Sequence, residues 1–186
     1  MAHGAELAGD GASAAPKAVP PAEAVALSRE ANDRAADAIQ RFPSRLRALM
    51  TLPMSDSPAA LAELERCAAI PGHAGIMSYG RAGDRALDDP ASEEVIAAAA
   101  RLELPVFIHP QIPPPRVRDA SYRGFDPVAD LALATFGWGW HIEAGIAALR
   151  LIGRGTFGRH PGPQIIPGHR ARCSCSPRIA STASQT

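Results

Sequence analysis

A chain of 186 residues with 19 Lys+Arg against 19 Asp+Glu is long enough to bury one real core and carries no net charge at neutral pH. That balance excludes the basic footprint of a nucleic-acid binder or of a protein drawn to an acidic membrane. No apolar run approaches the ~20 residues of a spanning helix, no charged and then apolar leader pattern opens the sequence, and 3 cysteines make no disulfide framework, so a cytoplasmic location is expected.

Residues 1–21 are Ala, Gly and Pro with few large apolar side chains, and are expected to be mobile because they cannot offset their own ordering entropy. After Pro20-Pro21 a helix is predicted from Ala22 through Val25, Leu27, Ala31, Ala35 and Ile39 to Phe42-Pro43, with one apolar face. Arg45 to Leu52 reads as a strand closed by Pro53. Ser57-Pro58 supplies an N-cap and an N1 proline for a second helix through Leu61, Leu64 and Cys67, in which Cys67 is a small buried hydrophobe. Gly75 to Gly80 is a further strand, Arg81 to Pro90 a loop, and Ser92-Glu93-Glu94 the start of a helix through Val95, Ile96 and Leu102.

Leu104 to Gln111 is a short apolar run bounded by prolines. It predicts a buried strand that delivers His109 at its C-terminal end, where parallel α/β folds place their chemistry; an imidazole at a core edge is also a common structural feature. Residues 111–126, with 3 consecutive prolines, read as a long loop bordering a site. Asp126-Pro127 caps a helix through Leu131 and Leu133. Trp138-Gly139-Trp140-His141 leads into another through Ile146, Leu149 and Ile152. Ile165-Ile166-Pro167-Gly168-His169 then repeats the earlier theme, a short strand ending in a histidine. Strands alternating with helices argue for βαβ units and a parallel sheet, and two strand-end imidazoles, His109 and His169, could converge on one site.

Several pieces in this order resemble the decarboxylase branch of the amidohydrolase-related proteins. They are Ala31-Asn32-Asp33, Phe42-Pro43-Ser44-Arg45 with Thr51-Leu52-Pro53, Gly80 to Arg85 with Leu87-Asp88-Asp89-Pro90, Pro105 to Pro110, Glu143 to Ile152, Phe157 to Pro161, and Ile165 to His169. The resemblance runs over residues 22–169 and implies a metal-dependent (β/α)8 barrel. A closed barrel normally needs ~200 residues or more, so a partial TIM (β/α)8 barrel is expected here, with about half of the βα units.

The resemblance implies a divalent metal, Zn or Mn, with His109 as a ligand and His169 as the catalytic acid or base beside it. It implies a carboxy-lyase acting on a small aromatic or unsaturated carboxylic acid, or a hydrolase of the same superfamily, and a homodimer for an intact version. Tyr79, where relatives tend to carry Asn, and Arg81 are the candidate substrate contacts. A guanidinium suits a carboxylate bidentately, although Arg81 and Arg85 also read as loop surface charges. The family draws two further ligands from a first strand, His-x-His or Glu-x-His, and an aspartate from the last. This chain offers Met1-Ala2-His3-Gly4 at one end and no aspartate beyond His169, so a catalytically silent fragment truncated at both ends is the alternative expectation.

Residues 170–186 have no apolar periodicity. A one-base shift of permitted codons for residues 170–184 reads GEMLVFTANRVDRV, restoring the Gly-Glu that follows Gly-His in relatives, so an out-of-frame tail is expected. Cys173 and Cys175 lack a second ligand pair with zinc-site spacing. His141 beside Trp140 could touch a substrate ring or be structural, whereas His160 is read in a solvated turn and His73 in a loop.

Overall fold

The computed structural model describes residues 19–162 and 164–168. The expectations for the tail up to residue 18, for His169 and for residues 170–186, with Cys173 and Cys175, lie outside the described residues.

Helix α1 (Pro21–Arg41) starts one residue inside the expected tail, because proline in the first turn has the right φ and no amide proton to waste. It buries Ser28, Asn32, Ala36 and Ile39, a single stripe. Strand β1 (Ala48–Thr51) is shorter than predicted: the amides of Arg45 and Leu46 fold back onto the Phe42 carbonyl in a turn. Helix α2 (Ser57–Ala68) is capped by Asp56, whose side chain accepts from the Ala59 amide at 3.1 Å, so Ser57 is the first helical residue and not the cap. Strand β2 (His73–Tyr79) begins at His73, which is buried in the sheet and not in a loop.

The predicted loop after β2 contains a small antiparallel pair, β3 (Arg81–Ala82) and β4 (Arg85–Ala86), turning at Gly83 with φ +60°. Helix α3 (Pro90–Arg101) starts before Ser92, because Asp89 accepts from the Ala91 amide and fixes the cap there. Strand β5 (Val106–His109) ends on the histidine as expected. The proline-rich loop hides a helix, α4 (Pro115–Ser121), since Pro114 and Pro115 occupy the cap and first turn, where prolines do no harm. Asp126 caps α5 (Pro127–Ala132) as read. A π-turn over Leu133–Gly137, with Thr135 at φ −111° and ψ −116°, kinks the chain into α6 (Gly139–Gly153). Helix α7 (Thr156–Arg159) and strand β6 (Ile165–Pro167) follow.

The four strands form one parallel sheet in the order β1-β2-β5-β6, which is chain order with helical crossovers, the wall of a (β/α)8 barrel. One face is packed. Met50, Ile76 and Val106 meet Leu64 and Cys67 of α2 and Val95 and Ala99 of α3, while Ile108 meets Ala144, Ala147 and Leu151 of α6. The other face is uncovered among the described residues. Thr51, Met77, Phe107 and Ile166 align across all four strands as one layer, and Leu49, Met77, Tyr79 and Ile166 are 38%, 39%, 42% and 44% exposed. Parallel sheets are normally covered on both faces, so the described residues form a partial barrel wall whose inward side is open. No described helix is long and apolar enough to cross a membrane.

Candidate active site at the strand ends

The C-terminal ends of β2 and β5 lie side by side, with Tyr79 in register with His109. Their rings meet edge to face, centroids 5.4 Å apart and planes at 81°. The His109 Nδ1 lies 2.8 Å from the Pro110 carbonyl oxygen. A carbonyl can only accept, so Nδ1 donates, and in the neutral ring Nε2 carries the lone pair. A backbone carbonyl that takes the Nδ1 proton fixes the tautomer and the orientation of the ring. Strand β6 reaches the same height: the Gly168 amide donates to the Ile108 carbonyl at 2.8 Å. A Cβ on Gly168 would lie 2.9 Å from that oxygen and 2.9 Å from the Phe107 ring, so the backbone just ahead of His169 is pressed onto the end of β5.

Arg81 and Arg85 are half-buried and both are anchored. Arg85 donates to the carbonyls of Met54 (3.1 Å) and Ser55 (2.7 Å), tying the β3–β4 hairpin to the loop after β1. Arg81 donates through one Nη to the Ile112 carbonyl, in the loop that follows His109, while its Nε is buried without a partner. Burial lowers the Arg81 guanidinium from its ordinary pKa, against the pull of Glu143 and Asp84. Burial likewise raises the Glu143 carboxyl, partly offset by the charge of Arg81, and it raises the Tyr122 hydroxyl, with Glu143 adding to the effect.

Glu143, Asp84 and Arg118 therefore act on the charge of Arg81, and Tyr122 feels Glu143; of these, Arg118, Tyr122 and Glu143 did not stand out in the sequence. Arg118 and Tyr122 were concealed by the proline-rich segment that turns out to carry α4. Glu143 stands one helical turn before Ala147, whose methyl would lie 2.8 Å from a Cβ on Gly80, so the two share the face of α6 that closes on the end of β2, a closeness that no sequence pattern records.

The other described histidines, His73, His141 and His160, make contacts elsewhere. His73 is buried with neither ring nitrogen partnered, His141 Nε2 lies 3.3 Å from the Phe136 carbonyl oxygen, and His160 sits half-buried against Glu93 at 3.2 Å instead of in a solvated turn. Cys67 is a buried thiol donating to Glu63 at 3.3 Å, its pKa pushed up to about 12 by burial and by that carboxylate, which disqualifies it as a thiolate ligand. Among the described residues no group of three or more His, Cys, Asp or Glu is placed to hold a metal ion.

The amidohydrolase family profile matches residues 6–174. The chain is 34% identical over 144 residues to Decarboxylase orsB of Emericella nidulans, covering 76% of this chain and 43% of that protein. It is 32% identical over 148 residues to a gamma-resorcylate decarboxylase of Polaromonas sp., covering 76% and 44%. Among solved structures it superposes on a putative amidohydrolase from Staphylococcus aureus with a TM-score of 0.75 at 34% identity, over 77% of this chain and 47% of the other. A dihydroxybenzoic acid decarboxylase from Polaromonas sp. with bound manganese and the inhibitor 2-nitroresorcinol gives 0.68 at 28%, over 78% and 44%. The chain thus spans under half the length of the relatives it matches.

Proposed function

The chain belongs to the amidohydrolase family, and from that premise we propose that it forms part of a metal-dependent carboxy-lyase acting on a small aromatic carboxylic acid such as γ-resorcylate. The observation that carries this reading is the His109 imidazole at the end of β5, its Nδ1 proton committed to the Pro110 carbonyl. Such a ring presents Nε2 as one ligand for a divalent ion, Mn or Zn. The ion, when bound, supplies positive charge to the substrate's oxygens.

Tyr79, edge-on to His109 on the open face, lies where an aromatic substrate would rest. Arg81 is the contact for the substrate's anionic group. In this reading His169, the next residue after the backbone pinned to β5, is the proton donor. As the bond between ring and carboxyl carbon breaks, carbon dioxide leaves and the electron pair left on the ring carbon takes the imidazolium proton. The remaining ligands belong to strands that complete the barrel around the open face. A cytoplasmic location and a homodimeric assembly complete the reading.

The test is manganese retention after dialysis together with conversion of γ-resorcylate to resorcinol. A complete version of the protein, with the strands that supply the remaining ligands, is expected to hold manganese. His109→Ala should lose it by at least about tenfold in affinity, whereas His169→Ala should keep it and lose about 10²–10⁴-fold in turnover. Retention of both metal and turnover by both variants would overturn the site assignment, and a complete version with neither would overturn the function.

A further inference from the structure

The His109 imidazole is tethered through Nδ1, which donates to the Pro110 carbonyl at 2.8 Å. Such a bond fixes the tautomer, but a ring can still swing about the line of the bond unless a second contact blocks it. Tyr79 stands across that swing. It is the neighbour of His109 in register on the parallel strand, and the two rings meet with centroids 5.4 Å apart and planes at 81°. That separation and angle are those at which two aromatic rings attract edge to face.

Tyr79 is not a core residue. It is 42% exposed on the open face, and Met77, two residues earlier on the same strand, is 39% exposed, so burial gives little reason for a large ring at the end of β2. Its place gives a better one. Tyr79 and His109 are each the last residue of their strand, where the backbone ladder stops and side-chain contacts must keep a functional group in place. We propose that Tyr79 is the positioning residue for His109, and that its aromatic ring, not its hydroxyl, holds the imidazole in one orientation about the bond to Pro110. The proposal rests on the reading above for the ion that Nε2 would meet, and it gives Tyr79, a substrate contact there, the further task of supporting the ligand. A ligand already held loses no freedom when the ion arrives, so its ordering is settled on folding and not on metal uptake.

The test is NMR of the whole chain carrying isotope-labelled histidine, with no metal added and with the His109 signals identified by their absence from His109→Gln. In the wild type the His109 ring should be as ordered on the ps–ns timescale as the β5 backbone. Tyr79→Leu keeps an apolar side chain but removes the ring, and should bring the His109 order parameter below about 0.6. Tyr79→Phe should keep wild-type order, and so should Met77→Leu, one pair earlier on the same face. Circular dichroism and the urea midpoint confirm that each variant folds. In a complete version of the protein, Tyr79→Leu should weaken manganese binding by about twofold to tenfold and Tyr79→Phe should not. A His109 ring equally ordered in Tyr79→Leu, a ring loosened in Tyr79→Phe or Met77→Leu, or manganese affinity unchanged in Tyr79→Leu would overturn the assignment. Ring order is read without metal or substrate, so the positioning role can fail while the carboxy-lyase reading stands, and the reverse.

Discussion

The carboxamide of Asn32 serves Thr51 as a neighbouring strand would. Its Oδ1 accepts from the Thr51 amide and its Nδ2 donates to the Thr51 carbonyl, both at 2.9 Å, so the outer edge of β1 is satisfied by a helix side chain. The same Nδ2 donates to Glu63 at 2.8 Å, and Glu63 also accepts from Arg66 and Cys67. The Arg66 guanidinium is the main reason the Glu63 carboxyl is held down to about 2 from 4.5, with Asn32 and Cys67 assisting against the cost of burial. A carboxyl whose folded pKa lies below its unfolded one stabilises the fold at all pH values above the unfolded pKa, and loses that contribution as pH falls through the folded one. The expected outcome is a loss on the order of 3 kcal/mol between pH 4.5 and about 2. Chemical denaturation at stepped pH measures it, and Glu63→Gln should flatten that part of the profile. In the sequence Ala31-Asn32-Asp33 was visible only as a matching motif. Its physical role was hidden because Thr51 lies 19 residues away, and no local pattern records such a pairing.

Elements were legible where the signal is local. Asp126-Pro127 capped its helix as read, because one residue there could serve. Before α2, Ser55, Asp56 and Ser57 all could, and it is Asp56 that accepts from the Ala59 amide, at 3.1 Å. At α3 the serine was a plausible start, but Asp89 ahead of Pro90 moved the cap upstream. Alternation of apolar runs and helices revealed the parallel sheet. It could not show how close α6 comes to β2, which depends on Gly80 having no side chain. A methyl there would stand 2.8 Å from Ala147 Cβ. Gly80→Ala is therefore expected to push α6 outward and destabilise the fold by about 1–3 kcal/mol, read as a lower urea midpoint. The compensating Ala147→Gly, made in the same chain, should recover part of the loss; no recovery would show that Ala147 is not the obstacle.

At the scale of the whole molecule, periodicity in single strands predicted which residues alternate but not that one side would stay bare. Leu49, Met77, Phe107 and Ile166 are as apolar as the packed side, and only the sheet order and register show that they share a face that no described helix covers. The candidate site shares that history: His109 was legible as a strand-end residue, while Arg118 and Glu143 come to act on Arg81 only once separate segments are brought together. The bare side also makes two methionines unequal toward oxidants. Met77 stands 39% exposed in the open layer, whereas Met50, on the adjacent strand but pointing the other way, is fully buried. Dilute peroxide is expected to convert Met77 to its sulfoxide well before Met50, as peptide mass mapping would record, and the new polar sulfur would appear in the middle of the inward wall. Any strands that close over this face would shield Met77 and slow its oxidation towards that of Met50, so one thioether reports whether the wall stands bare or lines a closed interior.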